Sequence, residues 1–301
     1  MLLPVPMGTK HISNTAKDLI NKISSAIGVY YEPTRIVREA RAKAEAKIIT
    51  ANADAEAKRL ATLAKIDLQN EIKQRALERL VQQEVRKQAN IEAITDKAIK
   101  FLPDDARPSE LDEDWIVHFF KQCENVSNAE MQALWANLLS GEATKPGAFS
   151  KRTVDFVASL DTKEAKLICN FCQFLWMDID PHETTYFPLI YGDKLEYYKD
   201  KGLTFSSLQF LDSIGFISYY SGPISTIQIN YDEARKTLSY HGKRVTIEFP
   251  SLSSFHIAAG TATLTRIGEE LAPICMVNGH EDFFDLVVTR WRSAGITVCI
   301  M

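Results

Sequence analysis

Three groups of residues in this chain have types and spacings that suit chemistry. The first is Gly141-Glu-Ala-Thr-Lys-Pro-Gly147, which has the outer glycines of a phosphate-binding loop. Such a loop needs a Lys-Ser/Thr pair after its last glycine, to reach phosphate oxygens and Mg²⁺, and a β-strand before it. Both are missing, so no nucleotide site is expected here. The second group is Cys169-Asn-Phe-Cys172. A structural zinc site needs four ligands, and no second paired motif exists. A thioredoxin-like redox pair would follow a strand at a helix start, whereas this CxxC lies within an apolar helical pattern. Both cysteines are therefore expected as small buried residues. The third group is Asp178, Asp180, His182 and Glu183. Carboxylates and an imidazole suit a divalent cation, but nothing in the spacing fixes their geometry, and a solvated acidic loop is the plainer expectation. The other histidines (His11, His118, His241, His256, His280) are scattered, and neither a serine nucleophile elbow nor HExxH occurs. No catalytic constellation, cofactor or metal is expected.

The elements that would carry these groups are organised around a long helical pattern from Arg35 to Leu102. Ala40, Ala42, Ala44 and Ala46 recur as Ala51, Ala53, Ala55 and Ala57, with Leu60 next in line. Glu45 recurs as Glu56 and Lys47 as Lys58, and Thr62, Ala64, Ile66 and Leu68 form a weaker third copy. An 11-residue repeat corresponds to about 3.67 residues per turn, a straight or slightly right-handed helix. No Gly or Pro interrupts it, and helix formers dominate. Unbroken, it is a rod of roughly 100 Å at about 1.5 Å per residue. Alanines two residues apart populate two stripes, which permits close approach of two neighbours at once. A two-stranded coil needs only one seam. The expectation is an oligomerisation rod of parallel copies. The competing reading is a hairpin bent at Gln69–Asn70 or Gln88–Asn90.

Composition sets the wider limits. The chain has 301 residues, 46% apolar and 25% charged, ordinary for a soluble globular protein. No apolar run reaches the ~20 residues of a spanning helix, and Met1–Met7 lacks a secretory pattern. Five cysteines, an odd number, argue for a reducing cytoplasm. The net charge of -4 is uneven: residues 33–100 carry +5 and residues 101–301 carry -10. The acidic portion lacks the electrostatic footprint of a nucleic-acid binder, so nucleic acid is disfavoured as a partner.

In chain order, residues 1–32 form an arm and an amphipathic helix, with Ile12, Ala16, Leu19, Ile20, Ile23 and Ile27 on one face and Gly28 as its stop. Its expected cover is its own protein or a neighbouring subunit; peripheral contact with a membrane is the alternative. Residues 33–102 are the rod. Residues 109–178 read as a helical domain enclosing one core, with caps at Asp112 or Ser109, a capping box Ser127-x-x-Glu130, a stop at Gly141, a cap at Ser150, and a capping box Asp161-x-x-Glu164 opening a helix through Met177. Residues 181–301 read as a small α/β domain. Strands are expected at 184–190, 215–220, 226–231, 244–249 and 296–300, and helices at 206–213 and 266–272. A hairpin through Ser221-Gly222-Pro223 gives it a winged-helix-like layout. The fold class is mainly α with a C-terminal α/β part.

The stretch Met131–Thr153 contains Leu-Trp-x-x-Leu-Leu-x-Gly-Glu at 134–142, then Pro146-Gly147-x-x-Ser150-x-Arg152-Thr153. With Gly8, Ile27–Gly28, Tyr31-x-Pro33 and the segment Leu264, Thr265, Gly268, Leu271, it resembles an uncharacterised bacterial family known only as a domain of unknown function. The resemblance covers most of the chain and implies no activity. Related layouts occur in proteins suspected of abortive infection, which points by analogy to antiphage defence. Read physically, the signature is a structural corner. Trp135 lies on an apolar helix face, Gly141 is the cap, Glu142 and Arg152 close the turn at Pro146–Gly147 as an ion pair, and Ser150 caps the next helix. The functional expectation is a non-enzymatic homo-oligomeric scaffold with an unidentified protein partner. The alternatives are a membrane-acting effector using helix 11–27 and an unrecognised nuclease or nucleotide-dependent enzyme using the 178–183 loop.

Overall fold

The computed structural model describes residues 13–28, 68–179, 184–219, 225–228, 235–248, 256–276 and 278–301. The alanine repeat (Ala40 to Ala57, with Leu60), the Tyr31-x-Pro33 segment and the Ser221–Pro223 turn lie outside them. The chain is mainly helical with a C-terminal antiparallel sheet, and it divides into two compact units, Met1–Gly147 and Ala148–Met301. No helix among the described residues is long and apolar enough to cross a membrane.

In the first unit, α1 (Asn14–Ile27) starts at Ser13, whose hydroxyl accepts from Ala16 N–H, and stops at Gly28 in the left-handed conformation. The expected apolar face is the buried one: Ala16, Leu19, Ile20 and Ile23. Helix α2 (Leu68–Phe101) runs unbroken through Gln88–Asn90; Gln69–Asn70 lies in its first turn, and the residues before Leu68 are outside the described ones. Helix α3 (Glu113–Cys123) is capped by Asp112 and α4 (Ala129–Thr144) by Asn128. The expected capping box at Ser127 gives way to a simple cap at Asn128, one residue on. Asn128 Oδ1 accepts from Glu130 and Met131 N–H at 3.0 Å each, a role for which an Asn competes equally with a Ser. Gly141 does not stop α4, because Glu142, Ala143 and Thr144 continue it. The left-handed residue is Gly147, at φ 84°. A glycine inside a helix costs about 1 kcal/mol relative to alanine, too little to break one that is packed.

The core of this unit is Trp115, Phe119, Phe120, Trp135, Leu138 and Leu139, with Phe119 and Trp135 meeting edge to face at 5.2 Å. A buried polar patch sits between α2 and α4. Gln132 Nε2 donates to Val126 O at 2.9 Å and to Asn90 Oδ1 at 3.4 Å, Asn90 Nδ2 donates to Glu124 O at 2.9 Å, and Lys97 Nζ donates to Gln132 Oε1 at 2.7 Å. Buried amides must find partners, so these bonds fix which turn of α2 meets which turn of α4.

The second unit begins with α5 (Lys151–Ser159), capped by Ser150, and α6 (Thr162–Cys172), opened by the expected Asp161/Glu164 capping box. Helices α3 and α4 fall in the first unit and α5 and α6 in the second. The helix expected through Met177 ends at Cys172, and Leu175–Ile179 is strand β1. The run Phe174-Leu175-Trp176 is buried throughout, and a short apolar run carries no period that separates strand from helix.

Strand β1 pairs with β2 (Thr184–Pro188) and with β5 (Arg235–Tyr240), which pairs with β6 (Lys243–Glu248) and so to β9 (Thr297–Ile300). The order is β2-β1-β5-β6-β9, antiparallel throughout. The β5–β6 turn is His241-Gly242, both at positive φ (43° and 89°), as a two-residue hairpin requires. Between β2 and β5 lie α7 (Leu195–Asp200), α8 (Phe205–Ser213), β3 (Ile217–Tyr219) and β4 (Ser225–Gln228). The expected β3–β4 hairpin is replaced by two longer-range pairings, β3 with β8 (Ala262–Leu264) and β4 with β7 (His256–Gly260). Helices α9 (Arg266–Cys275) and α10 (Glu281–Ser293) complete the unit. Helix α10 packs its Phe284 and Trp291 on Trp176 of β1, with ring centroids 5.7 and 4.8 Å apart.

The polar patch predicts that Gln132→Ala destabilises the chain by about 1–3 kcal/mol, because it leaves buried partners unbonded. Gln74→Ala, on the exposed part of α2, should fall within about 0.5 kcal/mol of wild type. Urea denaturation followed by circular dichroism checks both.

Candidate functional site

The two downstream segments of the resemblance, Ser150–Thr153 and Leu264–Leu271, meet in the second unit at one carboxylate. Glu270 sits on the second turn of α9, with its side chain only 12% exposed. Its Oε2 accepts from Ser150 N–H at 2.7 Å and from the Thr153 hydroxyl at 2.6 Å; its Oε1 accepts from Arg266 Nε at 2.9 Å. Ser150 also caps α5 from within, its Oγ accepting from Thr153 N–H at 3.3 Å. Glu270 thus places a negative charge at the positive end of α5, where unsatisfied N–H groups favour it. Burial pushes the Glu270 carboxyl up, but the hydrogen bonds from Thr153, Ser150 and Arg266 outweigh it and hold the carboxyl below the usual carboxylate range. Arg266 is largely exposed, so its share is small.

The neighbouring residues serve the same joint. Thr265 caps α9 by accepting from Gly268 N–H at 3.2 Å, and its hydroxyl donates to Gly215 O at 2.7 Å. Gly268 lies so close to β3's approach that a Cβ would stand 2.4 Å from Phe216 O, a backbone atom that cannot yield. Leu264 pairs with Ile217 across β8 and β3, and Leu271 is buried.

The upstream signature residues form a separate corner in the first unit. Trp135 is buried. Glu142 is 2% exposed, and its Oε1 accepts from Gly147 N–H at 2.6 Å, closing the turn that contains Pro146. Gly141 lies within α4. Arg152, on α5, is exposed. The seven signature residues are thus divided between two units: Trp135, Gly141, Glu142, Pro146 and Gly147 in the first, Ser150 and Arg152 in the second. Sequence reasoning found Ser150 as a cap but missed Glu270. Its i, i+4 spacing from Arg266 reads as an ordinary surface pair, and nothing local signals a partner 120 positions away.

The family described as Protein of unknown function (DUF2806) matches residues 74–288. The chain belongs to this family. No curated protein and no solved structure matches it. The DUF2806 span includes the Glu142 corner and the Glu270 joint and begins within α2, downstream of the alanine repeat.

Every bonded oxygen of Glu270 is held by the chain's own donors, and a carboxylate of lowered pKa is a weak base at neutral pH. Among the described residues, no group of three or more His, Cys, Asp or Glu is arranged to hold a metal ion. Asp178 of the sequence-proposed acidic loop lies in β1, where it is ion-paired with Lys236 of β5; Asp180, His182 and Glu183 lie outside the described residues. The CxxC is not mid-helix, since Cys172 is the last residue of α6.

Glu270→Gln should destabilise the fold by about 1–3 kcal/mol at neutral pH, because a charge-assisted acceptor is lost while its donors stay buried. The folded pKa is lowered, so the stabilisation is complete above the unfolded value near 4.5 and fades as pH falls through the folded value. The gap in thermal midpoint between wild type and Glu270→Gln should therefore narrow as pH drops below about 4.5. A gap independent of pH would mean that the Glu270 charge contributes nothing.

Proposed function

We propose that this chain is a cytoplasmic, non-enzymatic scaffold that assembles with further copies of itself through residues 33–102 and engages a protein partner through its acidic C-terminal part. The observation carrying this reading is a set of large exposed apolar side chains on α2, of which Leu77, Val81 and Val85, four residues apart, share one face with Leu80 beside it. Ile72, Leu77, Leu80, Val81 and Val85 are 53, 61, 53, 49 and 57% exposed, whereas Ile91, Ile94 and Ala98 of the same helix are buried. Single exposed apolar residues are ordinary, but a contiguous set marks an interaction surface. Each Leu, Val or Ile fully withdrawn from water contributes about 1.5–3 kcal/mol. The set follows directly on the alanine repeat, whose small residues allow helices to approach closely, so a second copy presenting the same surface is the natural cover.

The alternatives draw less support. A membrane-acting role would use the apolar face of α1, but Ala16, Leu19, Ile20 and Ile23 are already buried within their own unit. A nuclease role would use Asp178, which is occupied by Lys236. The acidic charge of residues 101–301 favours a basic protein partner over nucleic acid. Antiphage defence is the setting in which that partner is best sought.

Light scattering of the full chain at micromolar concentration should give a defined multiple of 33.9 kDa. Leu80→Glu with Val81→Glu, or Ala44→Glu with Ala55→Glu, should weaken assembly by at least tenfold, about 1.4 kcal/mol. A wild-type chain that runs as a monomer would overturn the reading.

A further inference from the structure

The exposed half of α2 carries its charges in an ordered way around its apolar face. At about 100° per residue, Leu80, Leu77, Val81 and Val85 lie together along one side of the helix, and Ile72 lies off it. Glu71 and Glu78, seven residues apart, border that face next to Val85, and Lys73 borders it on the opposite edge, next to Leu80. All of these side chains are exposed. Ile91, Ile94 and Ala98, which α2 buries within its own unit, point about a quarter turn away from Leu77 and Val81. The apolar face is therefore not the one that α2 turns to α4.

A seam with acid on one flank and base on the other discriminates between ways of pairing. In heptad terms Leu77 takes a d position and Gln74 and Val81 take a positions. Glu71, Glu78 and Val85 then fall at e, and Lys73 and Leu80 at g. When two such helices run parallel and in register, each g residue faces the e residue five positions later on its neighbour. Lys73 then meets Glu78, and Leu80 meets Val85, so opposite charges face each other and apolar faces apolar. In an antiparallel pair e faces e, which sets one acidic flank against the other. We infer that the cover of this face is a second copy of α2, parallel and in register across residues 71–86. Leu77, Leu80, Val81 and Val85 supply the buried contact, and Lys73 with Glu78 sets its direction. This pairing rests on the self-assembly proposed above and gives it an orientation and a register. Two polar residues interrupt the seam. Gln74 Nε2 donates to Glu78 Oε1 at 3.2 Å, and Glu84, which faces its own counterpart, is paired with Lys87 of its own chain at 3.1 Å. Polar residues at seam positions lower affinity and penalise slipped registers.

The test uses the full chain at low ionic strength, where exposed charges are least screened. Sedimentation velocity over a range of concentrations reads the association constant. Lys73→Glu and Glu78→Lys should each weaken association by roughly fivefold or more, because each turns attraction into repulsion at every copy of the contact. The double variant, Lys73→Glu with Glu78→Lys, should return to within about twofold of wild type, since the pair is restored with its signs exchanged. In a second readout, Gln74→Cys under mild oxidation should give a disulfide joining position 74 of two copies, mapped by mass spectrometry. If the chain assembles but Glu78→Lys tightens association or leaves it unchanged, the parallel pairing is wrong. It is equally wrong if assembled Gln74→Cys chains form no link between the two copies of position 74. A wild-type chain that stays monomeric would instead remove the self-assembly on which the pairing rests.

Discussion

The second unit turns on one withdrawn charge in particular, that of Glu270. A carboxylate removed from water is tolerated only when its oxygens are bonded, and Glu270 meets that demand with groups from a helix 120 positions away. The bonds work in both directions. Ser150 N–H is one of the donors that the start of α5 cannot satisfy internally, so Glu270 completes a helix end while α5 completes the carboxylate's shell. Once that joint is made, α9 is held against α5. The next residues of α9 then explain themselves. Thr265 must bond the Gly215 carbonyl, and Gly268 must lack a side chain, because α9 starts directly against the backbone of Phe216.

The first unit uses uncharged groups for the same purpose. Asn90 and Gln132 are buried between α2 and α4, a place usually filled by apolar side chains. Apolar side chains, however, would let the helices slide by a turn with little penalty. Amides that must reach Glu124 O and Val126 O allow one register only. The Glu142–Gly147 bond adds a fixed exit from α4, at the glycine where the first unit ends.

How much of this could be read from the sequence follows from how local each interaction is. Caps at Asp112, Ser150 and Asp161 join residues two or three positions apart, so their spacing is visible in the sequence. The amphipathic face of α1 was visible for the same reason. The start of α4 was misplaced by one residue because Ser127 and Asn128 are equivalent candidates. Gly141 reads as a stop because its type, not its conformation, is what a sequence displays. Strand β1 was missed because a run buried on both faces has no alternation. The β3–β8 and β4–β7 pairings and the Glu270 joint span tens of residues or more and leave no local trace.

The exposed half of α2 differs from everything else in the described residues. From Glu71 to Arg86 every residue is exposed, yet the backbone stays helical. Nucleation is the costly step in helix formation, and here the packed half, from Asn90 onward, supplies the nucleus. Propagation through Gln, Glu, Lys, Arg, Ala and Leu is close to neutral or favourable in water. The exposed stretch therefore requires no tertiary contact to remain helical, and glutamine or lysine at 72, 77, 80, 81 and 85 would serve the helix as well. Isoleucine and valine serve it slightly worse, since β-branching restricts their side chains against the preceding turn. Their presence together is thus unexplained by the stability of the helix that carries them. The explanation has to be sought in what meets that surface.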